Sequence, residues 1–362
     1  MSDRESTPLA VEQADAIRPG EELDMDALRE YLRPVIGQSA DRLEVRQFPG
    51  GYSNLTYLLS DGDRKWVLRR PPFGSKVKSA HDMGREYRVL SAIREQFPYA
   101  PEPLFFCDDH EVLGCDFYLM SYIEGVVFRR EYPPELDLTP EQVRAQFFRL
   151  FDVLGELHSI DLEKAGLSDF GRPVGYVTRQ VEGWSKRYRN AITDDAPDFE
   201  GIIQWLHDRM PPESGVVSLI HNDYKLDNVI WAADDPLRVI GVLDWEMATV
   251  GDPLMDLGCT LGYWVQADDP DYHREFRAMP SDAPGAPTRA EIVERFSQRT
   301  GIAVDNIDFY FCFGLFRLAV IGQQIYYRYR QGLTQDKRFA TLIDKSHSLK
   351  RMCDRVIERS EL

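Results

Sequence analysis

The stretch of sequence that decides the fold reads His221-Asn222-Asp223-Tyr224-Lys225-Leu226-Asp227-Asn228, and the apolar hairpin after it ends in Leu243-Asp244-Trp245. Asp223 is followed by a cation two residues on and by a carboxamide five residues on, within one short loop. Residues 238–243 can pair with residues 229–231 across the turn at 234–236, which would bring Asn228 and Asp244 together. An Asn and an Asp offer the hard oxygen ligands that Mg²⁺ prefers, and Asp223 can accept the proton of an attacking hydroxyl. The stretch therefore predicts phosphoryl transfer.

The spacing His-x-Asp-x-Lys-x-x-Asn, with a metal-binding Asp downstream, resembles the catalytic loop of protein kinases. Two departures follow: Trp245-Glu246 stands where a protein kinase carries Phe-Gly, and the run at 251–257, Gly-Asp-Pro-Leu-Met-Asp-Leu, stands where an activation segment would begin. Both resemble the aminoglycoside phosphotransferase and choline kinase superfamily. Within this superfamily, the sequences at 67–72, at 85–90 and in the loop are most similar to those of the kinase-like domains fused to, or associated with, acyl-CoA dehydrogenases.

The resemblance covers nearly the whole chain and implies an α+β, bilobal protein kinase-like fold. The small lobe would hold a five-stranded, mostly antiparallel sheet, and the larger lobe would be mainly helical. We expect a nucleotide-binding lobe at 24–125 with a hinge at 120–125, and a catalytic and acceptor-binding lobe at 126–362. Residues 1–23 carry few large apolar groups, which predicts a disordered tail.

Composition limits the partners and the compartment. The 362 residues are 43% hydrophobic, which suffices for the cores of two lobes. The net charge of -17 argues against nucleic acid or an anionic membrane as a partner, since both need a basic surface. Five widely spaced cysteines predict neither a disulfide framework nor a zinc site. We expect no signal peptide and no membrane span, and a cytoplasmic location.

A glycine-containing turn between predicted strands at 43–48 and 55–59 is a candidate phosphate-binding element. Gly50 and Gly51 would let backbone N–H groups approach a phosphate with no Cβ in the way, and Ser53 and Asn54 can add donors. Two glycines in a hairpin are also frequently just a turn. This turn precedes the expected hinge and the catalytic loop in the chain, and that order favours nucleotide binding.

The resemblance assigns further nucleotide-binding residues. Arg69, in the predicted strand 66–70, falls where the superfamily places its phosphate-binding lysine. Arginine is always charged and can bind phosphate in a bidentate way, so we expect nucleotide binding to survive. Glu86, in the predicted helix 81–96, is the expected partner of that cation, with a solvated carboxylate as the alternative. In the hinge, the backbone groups of Ser121 and Ile123 are expected to bind the adenine edge.

The segment from 172 to 190 lies where superfamily members commonly build an acceptor site. It combines cations and aromatics in an acidic chain, and the candidate acceptor-binding residues are Arg179, Trp184, Arg187 and Tyr188, with Arg317 from a predicted apolar helix at 308–330. An anionic acceptor, such as one carrying coenzyme A, could bind the cations and stack on the aromatics. Charge runs are also commonly solvated faces, and a buried arginine can pair with a structural carboxylate.

The resemblance also implies that His221 packs beneath the loop and that Asp256 braces it, while Lys225 reaches the transferring phosphoryl group. The expected enzyme is an ATP-dependent phosphotransferase with an alcohol group as acceptor, which uses Mg²⁺. Three interpretations stay open: a kinase for a hydroxyacyl-CoA or related anionic alcohol, a kinase for an aminoglycoside, choline or amino alcohol, and a silent nucleotide-binding module. A functional association with an acyl-CoA dehydrogenase is a further expectation.

Overall fold

The computed structural model describes residues 11, 13–49, 54–73 and 82–362. The helices in chain order are α1 (Met25–Ile36), α2 (Met83–Ile93), α3 (His110–Leu113), α4 (Pro140–His158), α5 (Tyr176–Asn190), α6 (Glu200–Asp208), α7 (Pro253–Gly262), α8 (Asp271–Arg274), α9 (Arg289–Thr300), α10 (Ile307–Arg330) and α11 (Leu342–Arg359). The strands are β1 (Glu44–Gln47), β2 (Leu55–Ser60), β3 (Lys65–Arg70), β4 (Pro103–Cys107), β5 (Phe117–Ser121), β6 (Val126–Val127), β7 (Ser218–Ile220), β8 (Val229–Trp231), β9 (Val239–Val242) and β10 (Thr249–Gly251).

The chain forms two compact units. The first contains the described residues up to Val127 together with 229–248, and the second contains 128–228 and 249–362. The sequence analysis placed 229–248 with the C-terminal lobe. These residues instead join the first unit because β8 pairs with β6, with Val126 opposite Trp231, and because Val242 N donates to Tyr99 O at 2.8 Å.

The first unit contains the predicted five-stranded sheet. Its order is β1-β2-β3-β5-β4, and every pairing is antiparallel, which confirms the predicted fold class. Burial alternates along β2, so one of its faces packs on the core. Helix α1 covers that core with Leu28, Leu32 and Ile36, which recur every four residues on one helical face.

Residues 13–23 correct the expectation of a loose tail that reaches residue 23. Asp15 pairs with Gln47 at the end of β1 through two backbone hydrogen bonds of 2.8 and 2.9 Å. Ala14 and Leu23 are buried. The pairing satisfies backbone groups at a sheet edge, a contribution to stability that composition alone does not reveal.

The second unit is mainly helical. Thr139 and Gln142 form a reciprocal capping box at the start of α4. Helices α7 and α10 pack closely through glycines: a Cβ on Gly314 would overlap the carbonyl group of Gly258, and a Cβ on Gly262 would lie 2.8 Å from the carbonyl carbon of Gly314. The two helix backbones can come this close only because these positions carry no side chain.

In the ranges that the structure describes, no helix has both the length and the hydropathy that crossing a membrane requires.

Candidate active site

The predicted hairpin after the loop is confirmed. Strand β8 begins directly after Asn228, and Val229 pairs with Val242, two residues before Asp244. Asp244 has a φ of 67° and a ψ of 62°, a left-handed conformation that Asp tolerates better than most residues. The strand register therefore sets where Asp244 leaves the sheet, and the left-handed turn ends the strand there.

In the first unit, Arg69 lies among three carboxylates. Its Nη2 donates to Asp244 Oδ1 at 2.9 Å and lies 3.8 Å from Glu246 Oε2, while its Nε lies 3.3 Å from Glu86 Oε2. The side chains of Arg69 and Glu86 are only 10% and 2% exposed. The structure thus joins Arg69 to Glu86, as the sequence analysis expected, and also to Asp244, which it did not foresee.

Burial and charge act in opposite directions on this cluster. Burial disfavours the charge on Arg69, but the carboxylates of Glu86, Asp244 and Glu246 outweigh it and raise the pKa of Arg69. Burial raises the pKa of Glu86, and the Arg69 guanidinium offsets part of that effect. Arg69 therefore stays charged and holds Asp244 in place.

Of the predicted glycine turn at 50–54, the structure describes only Asn54. Gly50, Gly51 and Ser53 lie outside the described residues. Asn54 is buried, and its Nδ2 donates to Glu246 Oε2 at 2.7 Å. Glu246 was not among the sequence candidates, although its place two residues after Asp244 puts it near the same cation. Asn54 thereby links β2 to the segment that carries Asp244.

At the hinge, the backbone amide of Ser121 donates to Glu102 O at 2.8 Å. This N–H is therefore used by the protein, and an adenine contact at Ser121 would have to use another group. The expected contacts of Ser121 and Ile123 with adenine remain predictions.

In the second unit, three side chains hold the carboxylate of Asp223. Tyr263 OH donates to Oδ1 at 2.9 Å. Lys225 Nζ and Asn228 Nδ2 both lie 3.1 Å from Oδ2. Asn228 Nδ2 also donates to the Asp223 backbone carbonyl at 2.8 Å. Asn228 uses only its nitrogen in these bonds, so its Oδ1, the atom that could bind a cation, takes no part in them.

Tyr263 was not found by the sequence analysis. It caps α7, and Lys225 Nζ stands 5.2 Å above the centre of its ring. Burial disfavours the charge on Lys225, but Tyr263 and Asp223 outweigh it and raise the pKa of this lysine. The signal that could have identified Tyr263 is its spacing of seven residues from Asp256, which is about two turns of a helix.

Asp256 braces the loop from beneath, as the resemblance implied. Its carboxylate accepts hydrogen bonds from the backbone amides of His221 and Asn222 at 2.8 and 2.7 Å, and it lies 3.0 Å from His158 Nε2. Burial opposes the negative charge, yet these donors outweigh it and lower the pKa of Asp256. His221 is fully buried, in agreement with the packing role expected for it.

Two lysines interact electrostatically with Asp227, one from the loop itself and one from α11. Lys225 Nζ lies 3.9 Å from Asp227 Oδ1. Burial lowers the pKa of Lys345, on α11, and the nearby ammonium of Lys225 lowers it further. Within the described ranges no carboxylate lies at ion-pair distance from Lys345. This lysine was not a sequence candidate, because 120 residues separate it from Lys225 in the chain.

The acceptor candidates separate into two groups. The guanidinium carbons of Arg187 and Arg317 lie 4.6 and 5.1 Å from the ring centre of Trp184. By contrast, Tyr188 is buried, its OH donates to Pro197 O, and its ring packs 5.0 Å from that of Phe199. The side chain of Tyr188 is thus part of the core, and its expected contact with an acceptor stays a prediction.

Arg179 is also not part of this group. Its Nη atoms donate to the backbone carbonyls of Arg172 and Val174, so the side chain closes the loop before α5. Arg187 carries no carboxylate partner among the described residues. Partial desolvation of its guanidinium and the positive charge of Arg317 lower the pKa of Arg187. The guanidinium groups of Arg187 and Arg317 thus both lie over the indole of Trp184, and their positive charges repel each other.

A cavity of about 640 Å³ lies elsewhere in the second unit, between α9, α10 and α11. Val293, Phe311 and Val356 contribute to its apolar wall, and Arg289 and Arg355 to its polar wall. None of the predicted site residues lines it.

The chain is similar to a known protein family over more than half of its length. The model of the "Phosphotransferase enzyme family" matches residues 44–292. Over 323 residues the chain is 36% identical to acyl-CoA dehydrogenase family member 10 of Mus musculus. The aligned residues make up 88% of this chain and 30% of that protein. The chain thus spans less than a third of that relative's length.

Two solved structures share the fold. One, from Ralstonia eutropha and provisionally named an aminoglycoside phosphotransferase, is 29% identical with a TM-score of 0.80, over 94% of this chain and 100% of that chain. A spectinomycin phosphotransferase solved with ADP and spectinomycin has a TM-score of 0.58 at 14% identity, over 92% and 98%. With a family model that matches more than half of its residues, this chain belongs to the phosphotransferase enzyme family.

Proposed function

We propose that this chain is an ATP-dependent small-molecule kinase that transfers the γ-phosphoryl group of ATP to the hydroxyl of an anionic acceptor, with a hydroxyacyl-CoA as the candidate class. The observation that carries the proposal is the carboxylate of Asp223, which Tyr263, Lys225 and Asn228 hold at 2.9, 3.1 and 3.1 Å. A general base must be fixed in this way before it can accept a proton along a defined direction.

The donor set fits a magnesium ion bound together with a nucleotide. Asp244 supplies carboxylate oxygen, and Asn228 supplies a carboxamide oxygen that its own hydrogen bonds leave unused. Among the described residues no group of three or more His, Cys, Asp or Glu is placed to hold a metal, so ATP phosphates and water would complete the shell, as is usual for Mg²⁺. When bound, Mg²⁺ would neutralise developing charge on the transferred phosphoryl group.

The residues of the chain supply the rest of the reaction. Asp223 accepts the proton as the acceptor oxygen bonds to the γ-phosphorus. The bond between that phosphorus and the β,γ-bridging oxygen breaks, and ADP leaves with the electron pair. Lys225 contributes a cation that can stabilise charge on the equatorial oxygens. Arg69 and the turn at 50–54 would bind the nucleotide phosphates.

Three cations of the second unit favour an anionic acceptor over a cationic one. Lys345, Arg187 and Arg317 are cations of the second unit in a chain whose net charge is -17. The mouse relative is named for an acyl-CoA dehydrogenase family, which also favours a coenzyme A ester and an association with such a dehydrogenase. An amine acceptor could use an acidic cluster such as Asp194-Asp195, but both of these residues are already paired with Arg330 at 3.0 and 2.9 Å.

We further propose that the protein acts in the cytoplasm. All five cysteines are free thiols and four are buried, an arrangement suited to a reducing compartment.

The test is ADP release from Mg-ATP across a panel of hydroxyacyl-CoAs, free hydroxy acids, aminoglycosides and choline. Asp223→Asn should lower turnover by about two to four orders of magnitude, the general-base scale, while binding of a fluorescent ATP analogue is kept. Asp208→Asn is the matched control, because Asp208 is an exposed acid on α6 of the same unit. Turnover with amines alone would reject the anionic acceptor, and unchanged turnover of Asp223→Asn would reject the proposed base.

A further inference from the structure

Helix α7 contacts the catalytic loop at two points on one face. Asp256 accepts the backbone amides of His221 and Asn222, and Tyr263, seven residues later, donates to the Asp223 carboxylate. Seven residues are about two helical turns, so the two side chains lie one above the other on the same face. The first contact holds the backbone of the loop, and the second holds its reactive side chain.

The helix itself is fixed in place. Gly258 and Gly262 pack against Gly314 of α10 so closely that a Cβ at any of the three would overlap the neighbouring backbone. Backbone packed on backbone has no side-chain rotamers with which to adjust. Tyr263, at the C-terminal end of α7, therefore stands at a position that the fold defines closely.

The hydrogen bonds on Asp223 leave one place for a further donor. A carboxylate has about two acceptor positions on each oxygen. On Oδ2 both are used, by Lys225 Nζ and Asn228 Nδ2. On Oδ1 the hydroxyl of Tyr263 takes one at 2.9 Å. No other donor among the described residues bonds to Oδ1, which leaves one position there for the hydroxyl of an acceptor.

We propose that Tyr263 is a positioning residue that sets the plane of the Asp223 carboxylate, so that Oδ1 is the atom that accepts the proton of the acceptor. This inference rests on the proposed function and adds to it the identity of the basic atom and of the residue that orients it. The proton moves from the acceptor hydroxyl to Oδ1 as the acceptor oxygen bonds to the γ-phosphorus and ADP leaves. Tyr263 keeps its own proton throughout.

The decisive variant is Tyr263→Phe, which removes the hydroxyl and keeps the ring beneath Lys225. Tyr326→Phe is the matched control, because Tyr326 OH also donates to an aspartate, Asp195 Oδ2 at 2.6 Å, in the same unit. ADP release is measured with Mg-ATP and the acceptor that gives turnover in the panel. We expect kcat of Tyr263→Phe to fall about 10- to 100-fold, the scale of one hydrogen bond to a charged group. KM for ATP, KM for the acceptor and the melting temperature should stay near wild type, and Tyr326→Phe should keep wild-type kcat.

A purely structural tyrosine would give a different result. Loss of melting temperature with unchanged kcat in Tyr263→Phe, or equal losses of kcat in both variants, would overturn the inference. Asp223→Asn is measured in the same assay. Wild-type turnover of Asp223→Asn would show that the proposed base is wrong. Wild-type turnover of Tyr263→Phe, with turnover lost in Asp223→Asn, would reject only the positioning role of Tyr263.

Crystal structures give a readout that needs no turnover. In Tyr263→Phe we expect the Asp223 carboxylate to rotate about its Cβ–Cγ bond, with Asp256 and the loop backbone unmoved. A carboxylate that keeps its plane and its contacts with Lys225 and Asn228 would reject the role assigned to Tyr263.

Discussion

Arg69 Nη2 lies 2.9 Å from Asp244 Oδ1, so the cation expected to bind phosphate also holds the carboxylate expected to bind magnesium. The same guanidinium faces Glu86 through its Nε at 3.3 Å. A guanidinium presents separate nitrogens to two carboxylates at once, whereas the single ammonium of a lysine acts as one point charge. This arrangement gives a physical account of arginine at the position where the superfamily that the chain resembles carries lysine.

Replacing Arg69 should destabilise the first unit. In Arg69→Met the buried Glu86 loses its partner, and the free energy of unfolding should fall by about 3–5 kcal/mol, the cost of breaking a buried ion pair. Arg69→Lys should cost less, because one cation remains. Urea unfolding followed by fluorescence measures both. Lys65→Met, on the same strand, is the control: Lys65 pairs with Glu124 at the surface, so its loss should cost less than about 1 kcal/mol. Equal costs at Arg69 and Lys65 would contradict the account.

The sequence predicted those parts that local patterns determine. The strand at 55–59 and the pairing of β8 with β9 follow from residues near one another in the chain. Two features could not be predicted in this way: the hydrogen bond from Tyr263 to Asp223 and the electrostatic effect of the catalytic loop on Lys345. Both depend on how α7 and α11 pack after folding.

The burial of Tyr188 was missed by the sequence analysis for a different reason. By composition, one aromatic and basic segment contains Trp184, Arg187 and Tyr188. In the structure this segment is a helix, whose faces differ in exposure. Trp184 and Tyr188 are four residues apart and both are buried, whereas Arg187 is exposed. Helical periodicity applied within 176–190 would have assigned Tyr188 to the core.

Asp256 should make stability depend on pH in the acidic range. Its three donors lower its pKa below the value of about 3.9 of an unfolded aspartate, so its contribution is complete above that pH and is lost as pH falls through the folded pKa. Asp256→Asn should lower the free energy of unfolding by about 2–4 kcal/mol at pH 7, because one carboxamide oxygen replaces two acceptors. The difference between wild type and variant should shrink below about pH 4. Denaturant unfolding from pH 3 to 7 checks this; a difference that grows toward low pH would contradict it.

The contact between α7 and α10 gives a prediction with a control on the same helix. In Gly314→Ala the new methyl group would overlap the carbonyl of Gly258, so α7 must shift and carry Asp256 and Tyr263 with it. We expect stability to fall by about 1–3 kcal/mol, as for overpacked cores, with loss of turnover. In Gly322→Ala the nearest atom would lie 3.6 Å away, so the better helix propensity of alanine should add up to about 1 kcal/mol. Thermal unfolding of the two variants tests the pair, and equal behaviour would show that α7 and α10 can separate at no cost.

The two arginines at Trp184 test the charge of the acceptor. Arg187 has no carboxylate partner in the described part of the chain and is repelled by Arg317, so removing it should leave stability unchanged or slightly raised. If the acceptor is an anion, Arg187→Ala should raise the KM for the acceptor about tenfold, the worth of one charge-assisted contact, with kcat near wild type.

Arg189→Ala is the matched control, since Arg189 lies on the same helix and pairs with Glu200 at 2.6 Å. Steady-state kinetics with a hydroxyacyl-CoA, repeated at higher ionic strength, should show the KM difference between wild type and Arg187→Ala narrowing as salt screens the charge. A KM that falls for an amine acceptor in Arg187→Ala would instead show that this pair of cations excludes positively charged substrates.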